Sequence, residues 1–494
     1  MTTTPDAWML VLAIVLPAGA MLVAFLAGGR QAERIAIGSL WAGFGLAAAI
    51  AWLVQRGGAP LVYILGGWQP PLGMALRADG LSASMLLVSA IVLLAVAWFG
   101  RTAYATPPHL QETRAAFAFW CFLPALAASL AAAFLGRDLF NLFVALEMLT
   151  FTALAVACRD CRPTQFKSEL RYLLFALLGS VLYLLGCALL YGAYGTLDIV
   201  LLAGRTRADV PTLVAGALMT TGLIAKMALF PLHLWLPPAH AGAPPAASAL
   251  LSGLVVKGAF VLLLRLWFWV LPPEVALSGG ALLAVLGSAA ILIGSVVALR
   301  QERLKLLIAY STVAQMGYLF LMFPLLAAAD GDTAGRAWLG GVLQAVSHAL
   351  AKASMFLGAG LIGHALGHDR ISALGGAARA MPITVFAIAI AGLSLMGLPP
   401  SGGFSAKWLL LRASVETGQW WWSLVILSGG LLTGGYVYRI VSAALSAPEP
   451  GVLKAQVPRA QELCVLTLAV GSAMMGILPL YAFGLALVGA PGGP

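Results

Sequence analysis

Six residues that can hold or release a proton sit where nearly everything around them is apolar: Glu147, Lys226, Lys257, His348, Lys352 and Lys407. In water such a set would be unremarkable, but inside a bilayer a charged side chain costs roughly 2.5–3.5 kcal/mol on insertion scales. Such residues therefore face protein or water and mark ion or proton paths. One acid among several bases suits a proton relay, because an acid–base pair can exchange partners while each lysine gains or loses a proton as its neighbour moves. His348 and Lys352 are four residues apart, which on a helix puts them on one face about 6 Å apart along the axis. A proton can pass between groups so placed, directly or through one water.

The elements that must position these residues are membrane helices. Of the 494 residues, 61% are hydrophobic and 9% charged, and the mean hydropathy is +0.97. Soluble domains carry about 25% charged residues, so that class is excluded. Fourteen stretches are long and apolar enough to cross a membrane: 7–27, 36–54, 81–99, 115–135, 139–157, 170–194, 212–235, 244–271, 280–299, 305–325, 338–363, 383–412, 420–446 and 462–487. The first lacks a basic leader and reads as a retained span. Two stretches interrupt themselves. The seventh, "GLIAKMALFPLHLWLPP" (222–238), has Pro231 shortly after Lys226, and the twelfth carries "GLPPSGG" (397–403) just before Lys407. Proline removes a backbone donor, and unpaired backbone is tolerated in a membrane only where protein or water satisfies it. A break beside a lysine thus points to a hydrated cavity. The two broken helices are five spans apart, so helices 4–8 and 9–13 are expected to form two five-helix repeats. The odd number makes the second enter from the opposite side, a transporter signature.

The expected fold class is all-α integral membrane, a single polytopic domain over 1–494. It divides into N-terminal helices 1–3 (1–110), a first repeat (115–271), a second repeat (280–446) and a C-terminal helix (462–487). The longest non-spanning piece, 56–81, reads as an external hairpin. Loops after odd-numbered spans are rich in Arg and Lys, whereas those after even-numbered spans hold only Arg56, Arg77, Arg137, Arg205, Arg207 and Arg336. By the positive-inside bias both termini face outward, the periplasm in a bacterial inner membrane. The net charge of +10 follows from this loop bias. Its scatter along the chain excludes a nucleic-acid partner. Cys158 and Cys161 form a lone C-x-x-C, weak evidence for a metal, and no haem, flavin or iron–sulfur pattern appears. No cofactor and no metal are expected.

Five motifs in order carry a family resemblance: "DLFNLFVALEM" (138–148), "LIAKMALFPLHLWLPPAHAGAPPAASALLSGLVVKGAF" (223–260), "LKLLIAYSTVAQMGY" (304–318), "SHALAKASMFL" (347–357) and "GLPPSGGFSAKWLL" (397–410). Together they span nearly the whole chain. The sequence resembles the proton-conducting antiporter-like subunits shared by Mrp-type cation/proton antiporters, respiratory complex I and membrane-bound group 4 hydrogenases. The resemblance implies that Glu147 on helix 5 pairs with Lys226 on helix 7. It also implies that Lys257, His348 with Lys352, and Lys407 are the further proton-handling positions on helices 8, 11 and 12. "DLFNLFVALE" is more similar to the Mrp D-type and hydrogenase-associated members than to the complex I ones, and no long lateral helix follows the fourteenth span, so the D-type arm is the expectation. The implied partners are other membrane subunits, the bilayer itself and protons, with exchange of sodium or another monovalent cation left open.

Each position also has a plainer reading. Glu147 and Lys226 can be a structural ion pair, Lys352 and Lys407 can snorkel to an interface, and His348 can bond a helix backbone. His233 and His240 flank the break in helix 7 and Asp138 sits at the mouth of helix 5, making them secondary candidates. The expected mechanism is a lateral chain from Glu147 through Lys226, Lys257 and His348 or Lys352 to Lys407, with half-channels to opposite faces. It leaves two assemblies open, a cation/proton antiporter or the proton-pumping arm of a redox-driven complex.

Overall fold

The computed structural model describes residues 2–106, 109–158, 163–447 and 454–491. In chain order the helices are α1 (Trp8–Ala27), α2 (Gly29–Gly57), α3 (Gly80–Ala103), α4 (Arg114–Leu135), α5 (Leu139–Ala157), α6 (Pro163–Tyr194), the short α7 (Ile199–Leu202), α8 (Val210–Lys226), α9 (Leu236–Gly242), α10 (Pro245–Leu250) and α11 (Val256–Arg265). They continue as α12 (Pro273–Arg300), α13 (Leu304–Ala327), α14 (Gly331–Leu366), α15 (Ala377–Ala380), α16 (Pro382–Met396), α17 (Gly402–Glu416), α18 (Trp421–Leu445) and α19 (Arg459–Met474). Strands β1 (Leu61–Ile64) and β2 (Ala75–Ala78) form the expected hairpin between α2 and α3, with Leu61 opposite Ala78.

Eleven helices among the described residues are long and apolar enough to cross a membrane. The other three expected spans are divided. The stretch 212–235 is helical only to Lys226, five residues before Pro231, and resumes as α9. The stretch 383–412 splits into α16 and α17, as its Pro-Pro-Ser-Gly-Gly run implies. The stretch 462–487, expected to be one helix, stops at Met474 and continues as a 3₁₀ turn over Leu480–Leu487. Pro479 lacks a donor, and a Cβ at Gly476 would collide with the Ser401 backbone, so the chain bends where it meets the α16–α17 break. The eighth span runs unbroken through Pro245–Val270 but carries π turns at Leu251–Val255 and Leu266–Val270.

The core is made by the helices that carry Lys257, His348 and Lys352. Pro245–Val270 is buried along its whole length and α14 nearly so, while α1 turns most of its surface outward. That inverts the soluble pattern, because lipid tolerates an apolar exterior and the protein must hide its amines. Close approach of helices relies on glycine. A Cβ on Gly179 of α6 would lie 2.6 Å from the Gly222 carbonyl of α8, and one on Gly287 of α12 would lie 2.6 Å from the Gly317 carbonyl of α13. Small residues let backbones touch where lipid supplies no hydrophobic drive.

One backbone device occurs twice. At the start of α5, Leu139 N–H donates to the Leu197 carbonyl at 3.0 Å and Ile199 N–H to the Arg137 carbonyl at 2.9 Å, with Arg137 and Asp198 paired at 2.7 Å. At the start of α13, Leu304 N–H donates to the Asp369 carbonyl at 2.7 Å and Ile371 N–H to the Glu302 carbonyl at 2.8 Å, with Arg303 and Asp369 paired at 3.0 Å. In each case the segment following the second helix returns to stitch the first helix's mouth.

Candidate functional site

The break after α8 is where the first lysine is presented. Lys226 lies in the last helical turn, and Ala228 adopts a left-handed φ of 53° that an L-residue avoids. Part of the backbone freed there is satisfied by Trp235, whose indole Nε1 donates to the Ala225 carbonyl at 2.9 Å. Lys226 Nζ donates to Glu147 Oε1 at 3.1 Å and to Thr150 Oγ1 at 3.1 Å. Ser180 of α6 donates to the same Glu147 oxygen. The lysine side chain is 6% exposed and the glutamate 19%, so a hydrogen-bonded ion pair stands in a largely dry setting, the arrangement that makes a buried charge tolerable.

The next amine is on α11, immediately after the first π turn. Lys257 is 1% exposed, donates to the Ser252 carbonyl, and meets His348 Nδ1 at 2.6 Å. A hydrogen bond between two nitrogens needs a lone pair on one of them, so a single proton bridges this pair. His348 Nε2 has no partner among the described residues. Lys352, on the same helix, reaches the other way, to the Ile308 carbonyl at 3.0 Å and to Ser311. The two do not bond each other; they are joined the long way round. Ser252 Oγ pairs with Thr312 Oγ1 at 2.9 Å, and Thr312 donates to the Ile308 carbonyl at 3.1 Å.

Lys407 is held inside the α16–α17 break. Its Nζ donates to the carbonyls of Leu395 at 2.6 Å and Met396 at 3.2 Å and lies 4.1 Å from the Tyr318 ring centroid. With 5% exposure it does not snorkel. Gln315 Nε2 donates to the same Leu395 carbonyl at 3.0 Å and its Oε1 accepts from Gln344 at 3.0 Å. Gln344 is one turn from His348. A polar run therefore leads from Lys407 to Gln344, one turn short of His348; no hydrogen bond among the described residues closes that gap, and none links Lys226 to Lys257.

The secondary candidates divide. Asp138 Oδ1 caps α5, accepting from Phe140 N–H at 2.9 Å and Asn141 N–H at 3.0 Å, the ordinary work of an N-cap aspartate. His240 is fully buried, its ring 4.4 Å from that of Phe356, and both nitrogens lack partners among the described residues. His233 is 8% exposed, and its Nδ1 is likewise unpartnered among them. Of the two cysteines, Cys158 follows the end of α5 and Cys161 lies outside the described residues.

The family described as NADH:quinone oxidoreductase/Mrp antiporter, TM, matches residues 136–433. The chain belongs to that family. The N subunit of the NADH-quinone oxidoreductase of Desulforudis audaxviator is 32% identical over 467 residues, covering 88% of this chain and 90% of the relative. The D subunit of the Na(+)/H(+) antiporter of Alkalihalophilus pseudofirmus is 28% identical, covering 75% and 73%. In fold the chain is similar to one in the Mrp complex from Dietzia sp., with a TM-score of 0.88, 24% identity, and 99% and 97% of the two chains covered. It is also similar to one in respiratory complex I from Thermus thermophilus, with a TM-score of 0.82, 22% identity, and 97% and 98% covered.

Among members of this NADH:quinone oxidoreductase/Mrp antiporter family the charged motif positions draw attention first, and the structure adds residues that sequence reasoning passed over. Gln315, Gln344 and the triad Ser347, Ser394 and Ser472, with Ser394 and Ser472 at 2.7 Å, fill the interval between His348 and Lys407. Amides inside apolar spans were the available signal. Arg265 sits within the eighth span, binds Asp79, the N-cap of α3, through both terminal nitrogens and reaches Ser82 Oγ at 2.9 Å. Glu169, one residue before the expected start of the sixth span, is 2% exposed.

Proposed function

We propose that this chain carries protons across the membrane along the buried axis Glu147–Lys226, Lys257–His348, Lys352 and Lys407. It does so as the D-like membrane component of a multi-subunit cation/proton antiporter. The observation that carries the reading is the 2.6 Å contact between Lys257 and His348: two buried bases sharing one proton have no structural reason to be so placed. Moving one proton across about 100 mV is worth roughly 2.3 kcal/mol, a scale that breaking or remaking one buried pair can gate.

Several finer readings accompany it. The duplicated stitch at the mouths of α5 and α13 supports two five-helix repeats within a fourteen-span domain. Five crossings separate the two stitches, which sets the repeats in opposite directions. The Arg and Lys bias of the loops supports an inner-membrane protein with both termini outward. The assemblies named for the relatives support partner membrane subunits, and the apolar exterior supports direct lipid contact. The 32% identity to an N subunit of NADH-quinone oxidoreductase favours a second reading, the proton-pumping arm of a redox-driven complex.

One experiment separates them. Inverted vesicles carrying the chain with its partner subunits are tested for proton movement on adding a monovalent cation or an electron donor, alongside a Lys257→Met variant. Cation-triggered flux lost in the variant supports the antiporter. Flux that appears only with the electron donor installs the second reading, and flux unchanged in Lys257→Met removes the axis.

A further inference from the structure

Glu169 has no place in the axis above, yet it is one of the costliest groups in the fold. The residue is 2% exposed, and neither carboxyl oxygen has a hydrogen-bond partner among the described residues. It lies about 9 Å along α6 from Pro163, at about 1.5 Å per residue. A buried polar group without a partner costs free energy, so it stabilises nothing where it stands and its retention calls for another reason.

The surroundings supply one. Gln165, Glu169, Tyr172, Ala176 and Ser180 recur at helical spacing and share one face of α6, and all are buried, at 2–6% exposure. The stripe starts at the membrane face where α5 ends, with Gln165 Nε2 on the Ala157 carbonyl at 2.7 Å. It ends at Ser180, which bonds Glu147. Between them, Tyr172 and Ala176 line a small cavity together with Thr150 and Lys226. Tyr172 is held there by its ring, stacked on Trp235 at 4.6 Å, the same indole that caps the broken end of α8.

We propose that Glu169 is the proton-transfer group through which the Glu147–Lys226 pair exchanges protons with the membrane face where α5 ends and α6 begins, with the Tyr172 hydroxyl as the intermediate carrier. The inference rests on the proton-carrying reading and adds the route into it. The step begins once Lys226 has given up its proton along the axis: the Glu169 carboxyl, swinging toward the cavity or acting through a water, passes its proton to the Tyr172 oxygen as the Tyr172 hydroxyl proton moves across the cavity onto the neutral Lys226 amine. Glu169 is left a carboxylate and Lys226 an ammonium; a proton from the aqueous face restores Glu169. Two protons each shift by one place, the net transfer is one proton, and no electrons move.

The test uses vesicles holding the complete assembly, with wild type, Glu169→Gln, Glu169→Asp and Tyr172→Phe compared at equal assembled protein. Positioned proton-transfer groups are worth about 10²–10⁴ in rate, so Glu169→Gln is expected to lower proton flux about a hundredfold. Tyr172→Phe should follow it, and Glu169→Asp should keep most of the flux. Wild-type flux in Glu169→Gln, or in Tyr172→Phe should the glutamine variant fail to assemble, overturns this route and leaves the axis standing. Absence of flux in the wild type under both cation and electron-donor drive overturns the axis and the route together.

Discussion

Removing the charge of Glu147 separates a relay from a strut. Lys226 Nζ and Glu147 Oε1 are 3.1 Å apart with side chains 6% and 19% exposed; at an effective dielectric of about 20 their attraction is about 5 kcal/mol. Desolvation offsets much of this, so the net worth of the pair is small, but a lone Glu147→Gln leaves Lys226 with an uncompensated charge at a cost of about 3–5 kcal/mol. Pairing it with Lys226→Met removes the second charge, and the double variant is expected to recover to within about 1 kcal/mol of wild type. The assay is reversible unfolding of the purified protein in detergent, run as a double-mutant cycle, with proton flux in vesicles measured on the same four proteins. The expected pattern is stability restored in the double variant and flux abolished in all three. A double variant that transports at the wild-type rate would make the pair a strut and refute the reasoning; a Glu147→Gln variant as stable as wild type would refute the energetics.

Two further outcomes follow from the geometry. Arg265→Leu strips both terminal nitrogens from Asp79, which is 1% exposed, and ends a stacking contact with Trp269 at 4.8 Å. Thermal unfolding should show a loss of about 3–5 kcal/mol, regained only in part when Asp79→Leu is added, because Asp79 also caps α3 through Ser82 N–H at 3.0 Å and a lost cap costs about 0.5–2 kcal/mol. Ala228→Gly relieves the left-handed φ of 53° worth about 1–2 kcal/mol, less the extra chain entropy of glycine at about 0.5–1 kcal/mol. A net gain of about 0.5–1 kcal/mol in denaturant unfolding is expected, and a loss would mean that the buried methyl group packs better than the strain costs.

Much of the site was legible residue by residue. Lysine and glutamate in apolar stretches stand out because the membrane makes them expensive, and that expense singles out Glu147, Lys226, Lys257, His348, Lys352 and Lys407 as candidates from the sequence. The two helix breaks were equally plain, since proline and glycine beside a lysine have few other uses in a bilayer. What misled was proximity along the chain: His348 and Lys352, one turn apart, turn to different helices and different partners. The break in helix 7 also comes before its proline: α8 ends at Lys226, where Ala228 turns left-handed and Trp235 takes up the Ala225 carbonyl.

The sequence by itself determined the solvent, the helical class, the broken spans and the identities of the candidate proton-handling residues, because hydropathy and backbone satisfaction act on short segments and leave their mark in composition. Only the tertiary structure decided which amine meets which acceptor: Lys257 with His348, Lys407 with the carbonyls of its own break, Asp79 with Arg265 across 186 positions of chain. It also brought Tyr172 to the cavity beside Lys226 and buried Glu169 on the same helix face. Those choices depend on how helices cross, and the crossings are set by glycine contacts and by the need of each buried polar atom for a partner on another helix, information that no single segment contains.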